Sequence, residues 1–112
     1  MTLSELRKKI ADDLQTELGD MPTFSREVLN IKVEDAVRDV MDKRGYASAG
    51  YSLDMIEDDI ERYIPQIKAL AQYDYLIIGA SGESYHYEGG TNRTWIDRRR
   101  LYNGIIPLAS IY

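Results

Sequence analysis

Few side chains in this sequence are of a kind that commonly performs catalysis. The chain of 112 residues has no cysteine and one histidine, His86, which has only ordinary loop serines near it. Adjacent carboxylates occur at Asp12-Asp13 and Asp58-Asp59. Neighbours in a helix do not face each other, so we expect both pairs on solvated faces. Residues 79–84 resemble a phosphate loop only in their glycines. We therefore expect no catalytic residue, no cofactor site and no metal site.

One carboxylate stands where a charge is costly. Asp74 falls in the apolar stripe of the longest helical pattern, shortly before Gly79, and a buried carboxylate needs a partner. The backbone N–H groups of residues 79–83 and the guanidinium of Arg93 are available. We predict that Asp74, with Gly79 and Gly82, anchors the following segment onto this helix. The alternative is that the stripe ends early and Asp74 is solvated.

Three amphipathic patterns must position these residues. The first begins with a capping box at Thr2 and Glu5 and ends at Gly19. The second covers residues 25–44, with Gly45 closing it, and residues 46–52 read as a connection. The third runs from Ser52 to about residue 78 and contains Pro65. Its apolar stripe keeps its phase across the proline, which favours a kinked helix over two helices divided at Pro65.

The C-terminal third of the sequence has a different character. Residues 79–96 predict a glycine-rich loop or a short hairpin around Gly89-Gly90. Residues 97–102 suit a single helical turn, and an apolar, proline-interrupted extended tail follows. We predict one mostly α domain, residues 1–112, which forms a small three- to four-helix bundle. It comprises a helical body (1–78), a loop or short β-hairpin arm (79–96) and an extended C-terminal tail (97–112).

Composition limits the classes of function. Residues 1–65 carry 15 acidic and 9 basic side chains, and residues 66–112 carry 4 and 5. An acidic helical body argues against a general nucleic-acid binder, whose affinity comes from neutralised phosphates. Nine tyrosines suit half-solvated contact surfaces, because tyrosine joins an apolar ring to a hydroxyl. We expect neither a signal peptide nor a membrane-spanning segment.

Part of the sequence resembles the head–tail connector proteins of tailed bacteriophages, the small adaptors of the virion neck. The resemblance covers roughly residues 25–112. It is most specific from Tyr73-Asp74-Tyr75 through residues 79–84 and His86 to Glu88-Gly89-Gly90. It extends more loosely to residues 33–46, residues 61–70, Arg93-Thr94 and Ile106-Pro107. This sequence departs from the family pattern at Tyr85 and Tyr87, which flank His86, and at Pro65.

The resemblance implies a non-enzymatic structural protein without cofactors. In such families twelve copies form a ring under the portal protein. The ring prolongs the DNA channel, through which DNA passes without specific binding, and receives the next neck, head-completion or tail protein. Assembly in the host cytoplasm and location in the virion neck would follow, with no membrane partner. The acidic body would then line the channel. The alternative is a small acidic regulatory or inhibitor protein that binds one partner through its apolar tail.

A cyclic ring uses heterologous interfaces, so each copy needs two different adhesive surfaces. The tail offers one and the tyrosine-rich arm offers the other. The predicted portal contacts are Ile105, Ile106, Pro107, Leu108, Ile111 and Tyr112. The predicted contacts between neighbouring copies are Tyr85, Tyr87, Arg93 and Trp95. Alternatively, the tail packs on its own bundle.

Overall fold

The computed structural model describes residues 1–81, 98–102 and 104–105. In these residues the chain forms α1 (Leu3–Leu18), α2 (Arg26–Arg44), α3 (Tyr46–Ala49), α4 (Leu53–Ile60) and α5 (Ile64–Ser81). A 3₁₀ turn, Glu61–Tyr63, separates α4 from α5, and a second 3₁₀ helix covers Arg98–Tyr102. The predicted mostly α fold is confirmed.

Helix α1 begins as its sequence predicts. The Thr2 side chain accepts a hydrogen bond from the Glu5 backbone N–H, and the Glu5 side chain accepts one from the Thr2 N–H, which completes the capping box. The helix ends at Gly19, whose φ of −64° is right-handed. Glycine is needed there for space rather than for a left-handed turn, because a Cβ would lie 2.6 Å from the Gln15 carbonyl oxygen.

Left-handed glycines shape the chain between α2 and α4. Ser25 caps α2 by accepting from the Val28 N–H, and Gly45 ends the helix with φ of 80°. Residues 46–52 were predicted to be a plain connection, but they contain α3, which is bounded by Gly45 and by Gly50 with φ of 74°. Without a Cβ, glycine enters this region at little cost. The two glycines thus turn the chain at both ends of one short helix.

The predicted kinked third helix is instead divided into two helices. Ser52 caps α4 by accepting from the Met55 N–H. The chain then tightens into the 3₁₀ turn, and Pro65 is the second residue of α5. Proline is tolerated in a first helical turn, where its missing N–H has no intrahelical acceptor. A second difference lies at the other end, because α5 does not stop at Gly79 but continues to Ser81.

Contacts between helix ends fix the direction of each helix in the bundle. The Leu3 N–H donates to Glu57 over 3.0 Å, and Lys68 Nζ lies 2.7 Å from Glu17, so α1 runs in the same direction as α4 and α5. Helix α2 runs the opposite way. Its start meets Tyr75, whose hydroxyl accepts from the Ser25 N–H over 2.8 Å. Its far end meets α4 through the ion pair between Arg44 and Asp59.

The three long helices share one apolar core. Leu6, Ile10 and Leu14 of α1 are fully buried, as are Leu29 and Val40 of α2. On α5 the buried set is Ile67, Leu70, Ala71 and Tyr75. These positions recur at three- and four-residue steps, which is why the sequence pattern located the core correctly.

Residues 98–102 and 104–105 pack against this bundle. The Tyr102 hydroxyl donates to Asp39 over 3.5 Å, and Lys43 Nζ lies 5.6 Å from the centre of the Tyr102 ring. Ile105 follows and is buried in the core, 5% exposed. The predicted single turn at 97–102 is therefore present as a 3₁₀ helix, which attaches the chain to α2 and α5.

Candidate functional site

A buried ionic cluster joins α2, α3 and α4. It consists of Arg44, the last residue of α2, Tyr46, the first residue of α3, and Asp59 near the end of α4. Arg44 is 7% exposed and Asp59 is 9% exposed. The left-handed Gly45 stands between the two residues that donate to Asp59. Its turn brings both side chains to the same carboxylate.

The Asp59 carboxylate is held by three donors. Arg44 donates through Nε over 2.7 Å to Oδ2 and through Nη2 over 3.0 Å to Oδ1, and the Tyr46 hydroxyl donates to Oδ2 over 2.6 Å. Arg62 Nε lies 3.5 Å from Oδ1 on the solvent side. The bidentate arrangement matches the planar guanidinium to the planar carboxylate. Both oxygens of the buried acid therefore have protein partners.

Aromatic rings cover the cluster. The Arg44 guanidinium carbon lies 5.4 Å from the centre of the Tyr63 ring, and the Tyr46 and Tyr51 rings stack with centres 5.3 Å apart. These rings lower the local dielectric on the side that they cover, which strengthens the electrostatic contacts there. Hydrogen bonding to Arg44 holds the pKa of Asp59 below its usual value. Burial, together with the bond to Asp59, raises the pKa of the Tyr46 hydroxyl.

These contacts make the cluster a clamp between helices. Its donors and acceptors are directed at one another, so it holds the end of α2 against α4. The prediction that Asp58-Asp59 lies on a solvated face is wrong for Asp59, while Asp58 is exposed as expected. The sequence did contain a signal for this position. Asp59 is spaced three and four residues from Ile56 and Tyr63, which face the core.

A second polar feature is a groove between α1 and α2 with a volume of about 270 Å³. It is lined by Arg7, Lys8, Arg26, Asn30, Val33 and Glu34. Arg26 Nη2 lies 2.9 Å from Asp12, which also pairs with Lys8 over 2.7 Å. The sequence pattern did not indicate this groove, because its lining comes from two antiparallel helices whose register only the folded bundle sets. Asp12 and Asp13 are half-exposed ion-pair partners, in agreement with a solvated face.

One residue of the predicted portal-contact set lies in the core of its own chain. Ile105 is 5% exposed and packs with the other core residues, and its portal contact stays a prediction. The start of the predicted tail thus packs on its own bundle. The remaining members, Ile106, Pro107, Leu108, Ile111 and Tyr112, lie outside the described residues.

The predicted arm and its anchor are only partly described. Tyr85, Tyr87, Arg93, Trp95 and Gly82 lie outside the described residues. Gly79 belongs to α5 instead of to a turn. Asp74 is half-buried on α5. Of its predicted partners, residues 79–81 continue α5, whereas residues 82–83 and Arg93 lie outside the described residues. The anchoring role of Asp74 stays a prediction.

Two kinds of feature are absent from residues 1–81, 98–102 and 104–105. No helix there has the length and apolar character needed to cross a membrane. No group of three or more His, Cys, Asp or Glu side chains in that part of the chain is arranged to hold a metal ion.

Comparison of the sequence and structure with protein-family models, curated proteins and solved structures found no match.

Proposed function

We propose that this protein is a structural head–tail connector of a tailed bacteriophage. In this role twelve copies form a ring under the portal protein, prolong the DNA channel and receive the next neck protein. The proposal is supported by the sequence resemblance and by the described helical bundle. It is also supported by the length of the segment that joins Ser81 to Arg98.

The described residues on the two sides of residues 82–97 reach different parts of α5. Ser81 is the last residue of α5. Gly104 lies near the start of α5, where a Cβ on it would lie 3.2 Å from the Gln66 side-chain nitrogen. At about 1.5 Å per helical residue, Gln66 and Ser81 are roughly 22 Å apart along the helix.

The segment between Ser81 and Arg98 is long compared with α5. Residues 82–97 number 16, and at about 3.3 Å per residue such a segment reaches roughly 53 Å when extended. The 18 residues of α5 span about 27 Å. Residues on both sides of this segment, from Leu6 to Ile105, belong to the bundle core. Residues 82–97 therefore have length to spare for contacts with a neighbouring copy, which is the role proposed for the arm.

The distribution of charge supports the same role. The formal net charge is −5, and the acidic excess lies in the helical body. A ring with these acidic faces on its inner surface would repel the DNA backbone and let it slide without specific contacts. A ring whose inner surface is basic or neutral would contradict this part of the proposal.

Assembly on a portal provides the direct test. The protein is mixed with the portal ring encoded in the same genome, and the masses of both components and of the mixture are measured by light scattering. We expect a monomer or small oligomer alone and a stoichiometric ring on the portal. Failure to bind the portal would refute the connector function. A tight one-to-one complex with a host enzyme would favour the regulatory alternative.

A matched pair of variants tests the predicted tail contact. Leu108→Asp places a charge in the predicted portal-contact set and should abolish portal binding. Ser110→Asp places the same charge two residues away, outside that set, and should retain most binding. Urea denaturation of both variants checks that the bundle is intact. Equal binding by the two variants would remove the tail from the portal interface.

A further inference from the structure

The α1–α2 groove is rich in positive charge. Three of its lining side chains are cationic, Arg7, Lys8 and Arg26, and one, Glu34, is anionic. Val33 also borders the groove but is only 1% exposed, so the apolar surface open to a partner comes from the aliphatic stems of the long side chains. Within the part of the chain that the structure describes, Arg7 has no hydrogen bond or ion pair. An acidic protein thus carries a locally basic concavity with a cation available for an outside partner.

The first turn of α4 has the complementary character. Leu53 is 59% exposed and Met55 is 48% exposed, and both are large apolar side chains. Asp54 and Asp58 are exposed beside them. Neither aspartate has an ion pair within the described residues. This turn, which we call the α4 knob (residues 53–58), therefore presents apolar side chains with an acidic border.

We propose that the α1–α2 groove of one copy receives the α4 knob of a second copy. Asp54 and Asp58 of the knob face Arg7, with Lys8 and Arg26, which also pair with Asp12, beside it. The apolar knob side chains lie against the aliphatic stems of these cations. The groove of about 270 Å³ falls below the roughly 300–1,000 Å³ typical of sites for drug-sized ligands, which suits one or two side chains of a partner. This contact rests on the self-association that the proposed function requires, and it assigns residues to it.

The two surfaces share no residue, so one copy can use its groove and its knob on two different neighbours, which makes a heterologous contact. A heterologous contact repeats from copy to copy and closes into a ring when its rotation permits. The cations at the groove are solvent-exposed or half-exposed, and exposed ion pairs contribute only about 0–1 kcal/mol each. A single contact is therefore weak. Repetition around a ring raises the effective concentration at each successive site.

Site-specific cross-linking tests the contact directly, because the chain has no cysteine of its own. Lys8→Cys is placed in one chain and Asp54→Cys in another, and the two are mixed with a short bismaleimide. The matched control is Lys9→Cys. Lys8 and Lys9 each pair with an aspartate four residues on, but only Lys8 lines the groove. We expect the 8–54 cross-link to exceed the 9–54 cross-link at least fivefold.

A charge exchange gives an independent readout. Arg7→Glu with Lys8→Glu should abolish the link between copies, as measured with cysteines at Met55 and Asn30. Asp54→Lys with Asp58→Lys should do the same. Mixing the two charge-reversed chains should restore the link, because the opposite charges again face each other. A pair of reversals that merely unfolded the bundle would not be rescued by mixing.

The experiments are run with the free protein at millimolar concentration and again on the portal ring. Equal 8–54 and 9–54 cross-links in both settings would overturn the inference, whether or not the portal binds. A selective 8–54 link without portal binding would support the contact and refute the connector function. If groove reversal abolishes portal binding and leaves the knob cross-link unchanged, the groove belongs to the portal and the inference is wrong.

Discussion

The buried Asp59 provides the sharpest test of how this bundle is held together. Asp59→Asn keeps the shape of the side chain and removes its charge. The amide nitrogen would then face either Arg44 Nη2 or the Arg44 Nε and Tyr46 hydroxyl donors, which now surround a carboxylate. Donor would oppose donor on one side, and the Arg44 cation would lose its counter-ion.

The expected loss of stability follows from these contacts. Removing one partner of a buried ion pair costs roughly 3–5 kcal/mol. Arg62, which is 64% exposed, reaches the same carboxylate at 3.5 Å, so water has access to one side of the cluster. We therefore expect the lower end, about 3 kcal/mol. That is a large share of a total stability of roughly 5–15 kcal/mol.

Urea denaturation at pH 7 measures this loss. With a slope of about 1–3 kcal/mol per molar urea, a loss of about 3 kcal/mol lowers the midpoint by roughly 1–3 M. The matched control is Asp58→Asn, which makes the same chemical change at an exposed neighbouring position. It should change stability by less than about 0.5 kcal/mol.

The pH dependence supplies a second signature of the same contact. Hydrogen bonding to Arg44 lowers the folded-state pKa of Asp59, so its stabilising effect is present above the unfolded-state pKa of about 3.9. That effect disappears as the pH falls through the lower folded-state pKa. The stability difference between wild type and Asp59→Asn should thus hold from pH 7 to 5 and shrink below about pH 4. Equal midpoints for the Asp58 and Asp59 variants at pH 7 would refute the clamp.

Three further substitutions test the remaining structure, each by urea denaturation. Ile105→Ala should destabilise the bundle by about 2–4 kcal/mol, because Ile105 is buried in the core. A change below about 0.5 kcal/mol would show that Ile105 is exposed to solvent. Tyr75→Phe removes the hydroxyl that accepts from the Ser25 N–H and should cost about 1 kcal/mol, whereas an unchanged midpoint would show that water replaces this acceptor. Gly50→Ala should cost about 1 kcal/mol because φ is +74°, although nothing lies within 4 Å of the new methyl group; a stabilising effect would contradict the left-handed turn.

Local signals in the sequence located most of the helical fold. The capping box at Thr2 and the end of α2 at Gly45 were found as predicted, because each depends on residues within one or two turns. The core positions of the long helices followed from the periodicity of their apolar residues. The sequence did not predict the division into two helices near Pro65, since one proline is compatible with both a kinked helix and the start of a new helix.

The candidate sites depended on contacts whose partner residues cannot be identified from a local sequence pattern. Asp59 looked like its exposed neighbour Asp58, and only the approach of α2 to α4 supplied Arg44 and Tyr46 as its partners. Ile105 looked like part of an apolar tail, and its burial depends on where the 3₁₀ helix docks on α2 and α5.

Sequence alone thus determined helices α1 and α2, the capping box at Thr2, the acidic body and the absence of cysteine. These properties are set by neighbouring residues or by composition. Tertiary structure decided which charges are buried, where the basic groove forms and which apolar residues remain exposed. Each of these depends on the register between antiparallel helices, which the packing of many side chains sets together.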